Sequence, residues 1–387
     1  MRPFINAIMK LRASRSLLLA VALGVGASAC ATGGGAASTE GGSAGTGGTA
    51  GGGTTAPQAA WPVKTREHVD LWLHGYAMLT EDTAKVPLYR RNYRSQMQVA
   101  KNQQNTNTQL DANRTQLVAR LRTNPNLANT QFIALYFGSW EDMKVAAGHF
   151  LESEGDPRRA RDQAIQGVIA FLAGNFPNAA DREWFRLFMV SLDDESTRFY
   201  HNYWLQQNRS RTSIVDALNT QWQQTYYPKF RRFLMGTQQA AGDMIVSLPI
   251  GGEGRTVGAS PTSVGSRSSI VAVTYPESDA IEAIYVFAHE VVGTIMNGVI
   301  NDNTTPAQQR EGLGQQYGTD GLVIGGAILL QRIAPELADG YARYYLRVAG
   351  RPVPSGDPQP ALRAAFPLPD NFRTAFLRQL DIVLGGI

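Results

Sequence analysis

The chain has 387 residues, 43% of them apolar, and a single cysteine, which excludes an intrachain disulfide framework. Its formal charge of +4 comes from 36 basic and 32 acidic residues. Four of the basic residues, Arg2, Lys10, Arg12 and Arg15, fall in the acid-free first 29 positions, so the remainder is balanced at 32 against 32 and lacks the basic excess of a nucleic-acid binder.

In chain order, those four basic residues precede an apolar run at 17–25 that is too short to span a bilayer. Ala27-Ser28-Ala29 then lead into Cys30. This order resembles a bacterial lipoprotein signal, although Ala27 departs from the leucine usual at that position. The resemblance implies cleavage before Cys30, lipidation of Cys30, and attachment to a membrane through it. It also implies a place in the cell envelope facing the periplasm, on the outer membrane ahead of the inner. Ordinary secretion with cleavage near Ala29 or Ala31 is the competing reading, and it leaves the lone cysteine without a role. Residues 30–60 are Gly-, Ser-, Thr- and Ala-rich with almost nothing to bury, a tether of roughly 30 Å as a flexible coil.

From Trp61 the composition is that of a folded body. The region 61–242 reads as helical throughout. Apolar residues at 69, 72, 73, 76 and 79 have helical spacing. A long polar helix is expected over 89–122, ended by Asn124-Pro125-Asn126. Further helices are expected at 129–153, 157–173, 180–206, 211–225 and 227–241. At Gly242 the texture changes. A short strand is expected at 244–249, and Gly251 to Arg267 reads as loop or a loose hairpin. The β-branched run 268–275 is the clearest strand in the chain. A helix over 280–301 follows, with Asp279 and Glu282 as a reciprocal cap. A short helix at 306–317 and helices at 320–333, 335–348 and 370–384 complete the reading. Outside the leader, no run of 18 or more apolar residues points to a membrane span.

The helix at 280–301 is apolar on most sides. Its polar residues form one narrow stripe, His289, Gly293 and Asn297, flanked by Glu290, Thr294 and Asn301. Polar groups on a buried helix need partners, so this stripe is expected to face a site, a wet cleft or a hydrogen-bond network. Downstream lies Glu311-Gly312-Leu313, followed by Tyr317. A strand, a helix bearing His289-Glu290, and a later Glu-Gly-Leu together resemble the gluzincins. These are the zinc peptidases with a His-Glu-x-x-His motif and a glutamate as third ligand. The resemblance covers about 243–348 and rests on residues 289, 290 and 311–313. It implies His289 and Glu311 as metal ligands, Glu290 as the catalytic general base, zinc as the cofactor, and a zinc-dependent peptidase if the site is active. Strand 268–275 would then be an edge on which an extended peptide could pair. The departure is Gly293, which stands where the second histidine belongs. The metal site is therefore expected to be degenerate or rebuilt, completed if at all by His68, His74, His149 or His201. A non-catalytic envelope binding or assembly protein using the same cleft, with a peptide or envelope protein as partner, is the alternative.

Other features read as structural. His68 and His74 are poorly spaced for one helix face. Tyr341, Tyr344 and Tyr345 have the spacing of core packing, with one of them a candidate oxyanion donor. Gly251-Gly252-Glu253-Gly254 lacks the Lys-Ser/Thr of a phosphate loop. The expected organisation is a signal peptide at 1–29 and the lipidated cysteine and tether at 30–60. A helical region at 61–242 and a metallopeptidase-like domain at 243–387 follow. The fold class is α+β, mainly α: a helical region, a small sheet and a gluzincin-like helical domain.

Overall fold

The computed structural model describes residues 61–258 and 269–385; the expected signal peptide, Cys30 and the tether lie outside the described residues. The chain enters through a two-residue strand β1, Val63–Lys64, and helix α1, Glu67–Leu79. Helices α2, Tyr93–Gln103, and α3, Gln109–Thr123, replace the single long helix expected over 89–122. The break has a local cause. Asn105 takes a left-handed conformation with φ of 48°, which asparagine tolerates. Thr108 then restarts the helix as its cap, Asp111 Oδ2 accepting from the Thr108 N–H at 3.0 Å.

A 3-10 segment, Pro125–Tyr136, precedes α4, Trp140–Glu152, because Ser139 caps a new helix by accepting from the Asp142 N–H. Then come α5, Gln163–Asn175; α6, Ala179–Glu195; α7, His201–Gln221; and α8, Tyr227–Gly236. The last three form one nearly continuous rod. They are joined by two π-helical turns, Ser196–Tyr200 and Trp222–Tyr226.

Strands β2, Gly242–Ser247, β3, Arg255–Val257, and β4, Ser269–Thr274, complete a four-stranded mixed sheet in the order β1-β2-β4-β3. β1 and β4 both run parallel to β2, whereas β3 is antiparallel to β4. The strand expected to be an edge, β4, is therefore interior, and β1 and β3 are the edges. β4 is buried on both faces, as its unbroken β-branched run requires. Alternation sends Met244, Val246, Val271 and Val273 into one core, and Ile245 and Ala272 into a second, built mostly of helices α1 to α6. The sheet is the wall between the two cores, and it takes strands from both sides of Gly242.

Below β4 lies α9, Ile281–Val291, followed after Val292 by α10, Gly293–Asn303. Asp279 accepts from the Ile281 N–H at 3.0 Å, but Glu282 pairs with Arg347 at 3.0 Å instead of closing the cap. The stretch Ile281–Asn303 is the one described helix long and apolar enough to cross a bilayer. Some 72% of its most apolar window is buried by the rest of the chain, as in a core helix. Trp61, Trp222 and Phe230 pack around Phe287 on its inner face, with ring centroids 4.7 to 5.8 Å apart. Helices α11, Pro306–Arg310, α12, Leu313–Ile333, α13, Ala338–Val348, α14, Gln359–Ala365, and α15, Asp370–Gly385, finish the fold. The class is α+β and mainly α.

Candidate functional site

His289 sits in the last turn of α9 and is 1% exposed. Its ring stacks on Tyr345 of α13, with centroids 5.2 Å apart and planes 25° from parallel. Both ring nitrogens are buried without a hydrogen-bond partner among the described residues. The nearest acidic group is Glu290, whose Oε1 lies 3.7 Å from His289 Nε2. That oxygen is already engaged, accepting from the Gly254 N–H at 2.9 Å.

The loop that supplies this N–H is held from both sides. Gly251 N–H donates to Leu88 O at 2.7 Å and Gly252 N–H to Pro87 O at 3.1 Å. From α13, Tyr345 OH donates to Gly252 O at 3.0 Å and Tyr344 OH to Gly251 O at 3.4 Å. Tyr341 OH donates to Val323 O at 2.9 Å. These hydroxyls tie backbone together, and Tyr345 meets His289 with its ring face rather than its oxygen.

The predicted stripe divides at Gly293. His289 and Gly293 are buried, whereas Thr294, Asn297 and Asn301 are exposed. A Cβ on Gly293 would meet Asn297 Nδ2 and Leu322 Cδ2 at 3.5 Å, which is ordinary contact. Glu311 is elsewhere. It ends the short helix α11, where Gly312 turns left-handed with φ of 78°, and it is exposed, with no ion pair or side-chain hydrogen bond among the described residues. Glu-Gly-Leu is thus a helix break, not the middle of the helix expected over 306–317.

His149 lies in the last turn of α4, and the other three histidines have uses of their own. His68 Nε2 donates to Phe137 O at 2.9 Å, His74 Nε2 lies 3.0 Å from Glu195 Oε1, and His201 Nδ1 lies 2.8 Å from Glu67 Oε1. Among the described residues no three His, Cys, Asp or Glu side chains converge on one point. The donors near His289 therefore do not fit a tetrahedral zinc, which needs three protein ligands about 2 Å from one ion.

Burial sets the electrostatics of the pair. It pushes the His289 imidazole down to about 3, so the ring is neutral at pH 7. It pushes the Glu290 carboxyl up to about 7, against the pull of Arg255. A raised value means that the folded chain holds the proton more tightly than the unfolded chain. Glu290's contribution to stability is thus complete below about 4.5 and lost as pH rises through about 7. Asp70, pushed up from 3.8 to about 7 by burial, acts in the same direction. His289 has the opposite sign: its contribution is complete above 6.5 and lost as pH falls toward 3. Glu290→Gln is expected to flatten the decline in unfolding free energy between pH 5 and pH 8 by about 1–3 kcal/mol. Urea titrations across that range would measure it, and parallel wild-type and variant curves would contradict the assignment.

Sequence reasoning did not find Gly254, whose missing side chain lets its N–H reach Glu290. A Cβ there would overlap the Ala272 carbonyl and sit 3.0 Å from Glu290 Cγ. The only signal was the glycine density of 251–254. No family model, curated protein or solved structure matches this chain.

Proposed function

We propose that this chain is a non-catalytic, lipid-anchored binding or assembly protein of the bacterial cell envelope, with a gluzincin-like pattern whose metal site has been rebuilt as packing. The observation that carries the reading is the placement of three residues. His289 is sealed against Tyr345, Glu290 is spent on the Gly254 N–H, and Glu311 stands at an exposed helix end. A general base must reach the proton it removes, and a metal ligand must share its ion with two others. The anchor rests on the lipoprotein-like order ending in Cys30 and the tether behind it.

Two measurements on the full-length protein test the proposal. Metal analysis is expected to find no stoichiometric zinc, and His289→Phe is expected to keep or raise the melting temperature. Two buried nitrogens without partners are unfavourable, and an apolar ring of similar shape removes that penalty of about 1–3 kcal/mol. One zinc per chain in the wild type, lost with His289→Phe, would overturn the non-catalytic reading. Cys30→Ala is expected to move the protein from the membrane fraction to the soluble one, since a lipoprotein cysteine carries enough acyl chains for stable anchoring. A wild-type protein already soluble would refute the anchor.

A further inference from the structure

The most unusual charged group in the described structure is Arg211, on α7. Its side chain is 19% exposed and makes no hydrogen bond among the described residues, and its Nη1 is fully buried. It rests on the ring of Tyr275, with Cζ 5.3 Å from the centroid. Its nearest acid is Glu277, 4.0 Å away. A guanidinium carries five donors in a fixed fork, and burying one without acceptors is unfavourable. Burial, and then the neighbouring Arg90, push this group down from its ordinary value.

Arg90 reaches the same place from the segment before α2. Its Nη2 donates to Thr274 Oγ1 at 3.1 Å and to Tyr275 O, and its Nη1 pairs with Glu277. Its Nε is buried without a partner among the described residues. Both arginines act electrostatically on Tyr203, which marks one shared neighbourhood. That neighbourhood lies just past Ser247 and Thr274, at the C-terminal ends of the parallel strands β2 and β4. Open parallel sheets place their ligands at such ends. The carboxylate within 4.0 Å of both guanidiniums is Glu277, which is 59% exposed and meets them through one oxygen, Oε1.

We propose that Arg211 and Arg90 form a binding site for a ligand carboxylate at the C-terminal ends of β2 and β4, and that Glu277 fills this site in the free protein. The fork of Arg211, placed over the Tyr275 ring, suits a planar carboxylate, which it can meet with two parallel hydrogen bonds. Glu277 sits on an exposed loop and leaves by side-chain rotation. The site is independent of His289 and stands whether or not the reading of that residue holds.

The test uses full-length protein titrated by calorimetry with succinate at constant ionic strength. Glu277→Ala is expected to bind succinate at least tenfold more tightly than wild type. Adding Arg211→Gln to that variant is expected to abolish binding, and Arg211→Lys to weaken it about tenfold. A tripeptide with a free C-terminus, compared with its amidated form, separates a peptide end from a free acid as the source of the carboxylate. No binding by Glu277→Ala, or binding that survives Arg211→Gln, would overturn the proposal. If Arg211→Gln does not fold, Arg211→Lys decides: affinity equal to its parent overturns the site. Sulfate bound as tightly as succinate overturns the carboxylate assignment.

Discussion

Glu195→Leu is expected to destabilise the protein by about 3–5 kcal/mol, the usual loss when one partner of a buried ionic network is removed. Glu195 is 0% exposed at the end of α6. It faces Lys101 Nζ at 2.8 and 3.0 Å, His74 Nε2 at 3.0 Å, and the Thr108 hydroxyl. Burial alone would raise its carboxyl, but His74 and Lys101 outweigh burial and hold it at about 2. The sign follows: the contribution is present above about 4.5 and is lost as pH falls toward 2. Guanidinium unfolding at pH 7 would show the loss, which should shrink at pH 3. Lys101→Met added to Glu195→Leu should recover part of it, because Lys101 would no longer be a buried charge short of an acceptor. A loss under about 1 kcal/mol at pH 7 would show that the network holds little of the fold together.

Gly254→Ala is the second large effect, expected to destabilise by about 1–3 kcal/mol as an overpacked core does. The obstacle is backbone. The new methyl would overlap Ala272 O, and Ala272 pairs with Arg255 across β3 and β4. Relief requires β3 to move away from β4, which also withdraws the N–H from Glu290. That hydrogen bond favours the charged carboxylate, so losing it should raise Glu290 above about 7. Stability would then continue to fall at pH values where the wild type has levelled off. A variant within about 0.5 kcal/mol of wild type, with an unchanged pH profile, would show that the loop yields easily.

Much of the fold could be read from the chain because it rests on local pattern. Strand 269–274 was marked by its β-branched run, and α9 by an apolar face broken only at His289 and Glu290. What could not be read was pairing. Nothing in Arg255-Thr256-Val257 says that three residues close the sheet and move β4 inside. Local chemistry also outweighed periodicity at Gln104-Asn105, where a left-handed asparagine splits a helix that composition would have continued. The site was half legible. His289-Glu290 stood out because polar groups on an apolar helix are conspicuous. Asp70, Glu195 and Arg211 did not, because a charged residue on a polar helix face looks solvated until another helix closes over it. Glu311 was a candidate ligand through the resemblance of His289-Glu290 and Glu311-Gly312-Leu313 to the gluzincins, but Gly312 ends its helix and leaves it at the surface.

The two π turns between α6 and α8 have a geometrical consequence. Each absorbs one residue more than an α path of the same rise, and one residue corresponds to about 100° of helical rotation. The first turns α7 by about 100° relative to an uninterrupted screw, and the two together turn α8 by roughly 200°. Trp184, Phe185, Phe188 and Leu192, ahead of the first π turn, are buried in the helical core, whereas Leu218, Trp222, Phe230 and Phe233 farther along are buried in the core beneath the sheet. A single rod thus serves two interiors in succession along its length. What the two cores share is its phase, which one residue gained or lost between Glu195 and Trp222 would reset for everything that follows.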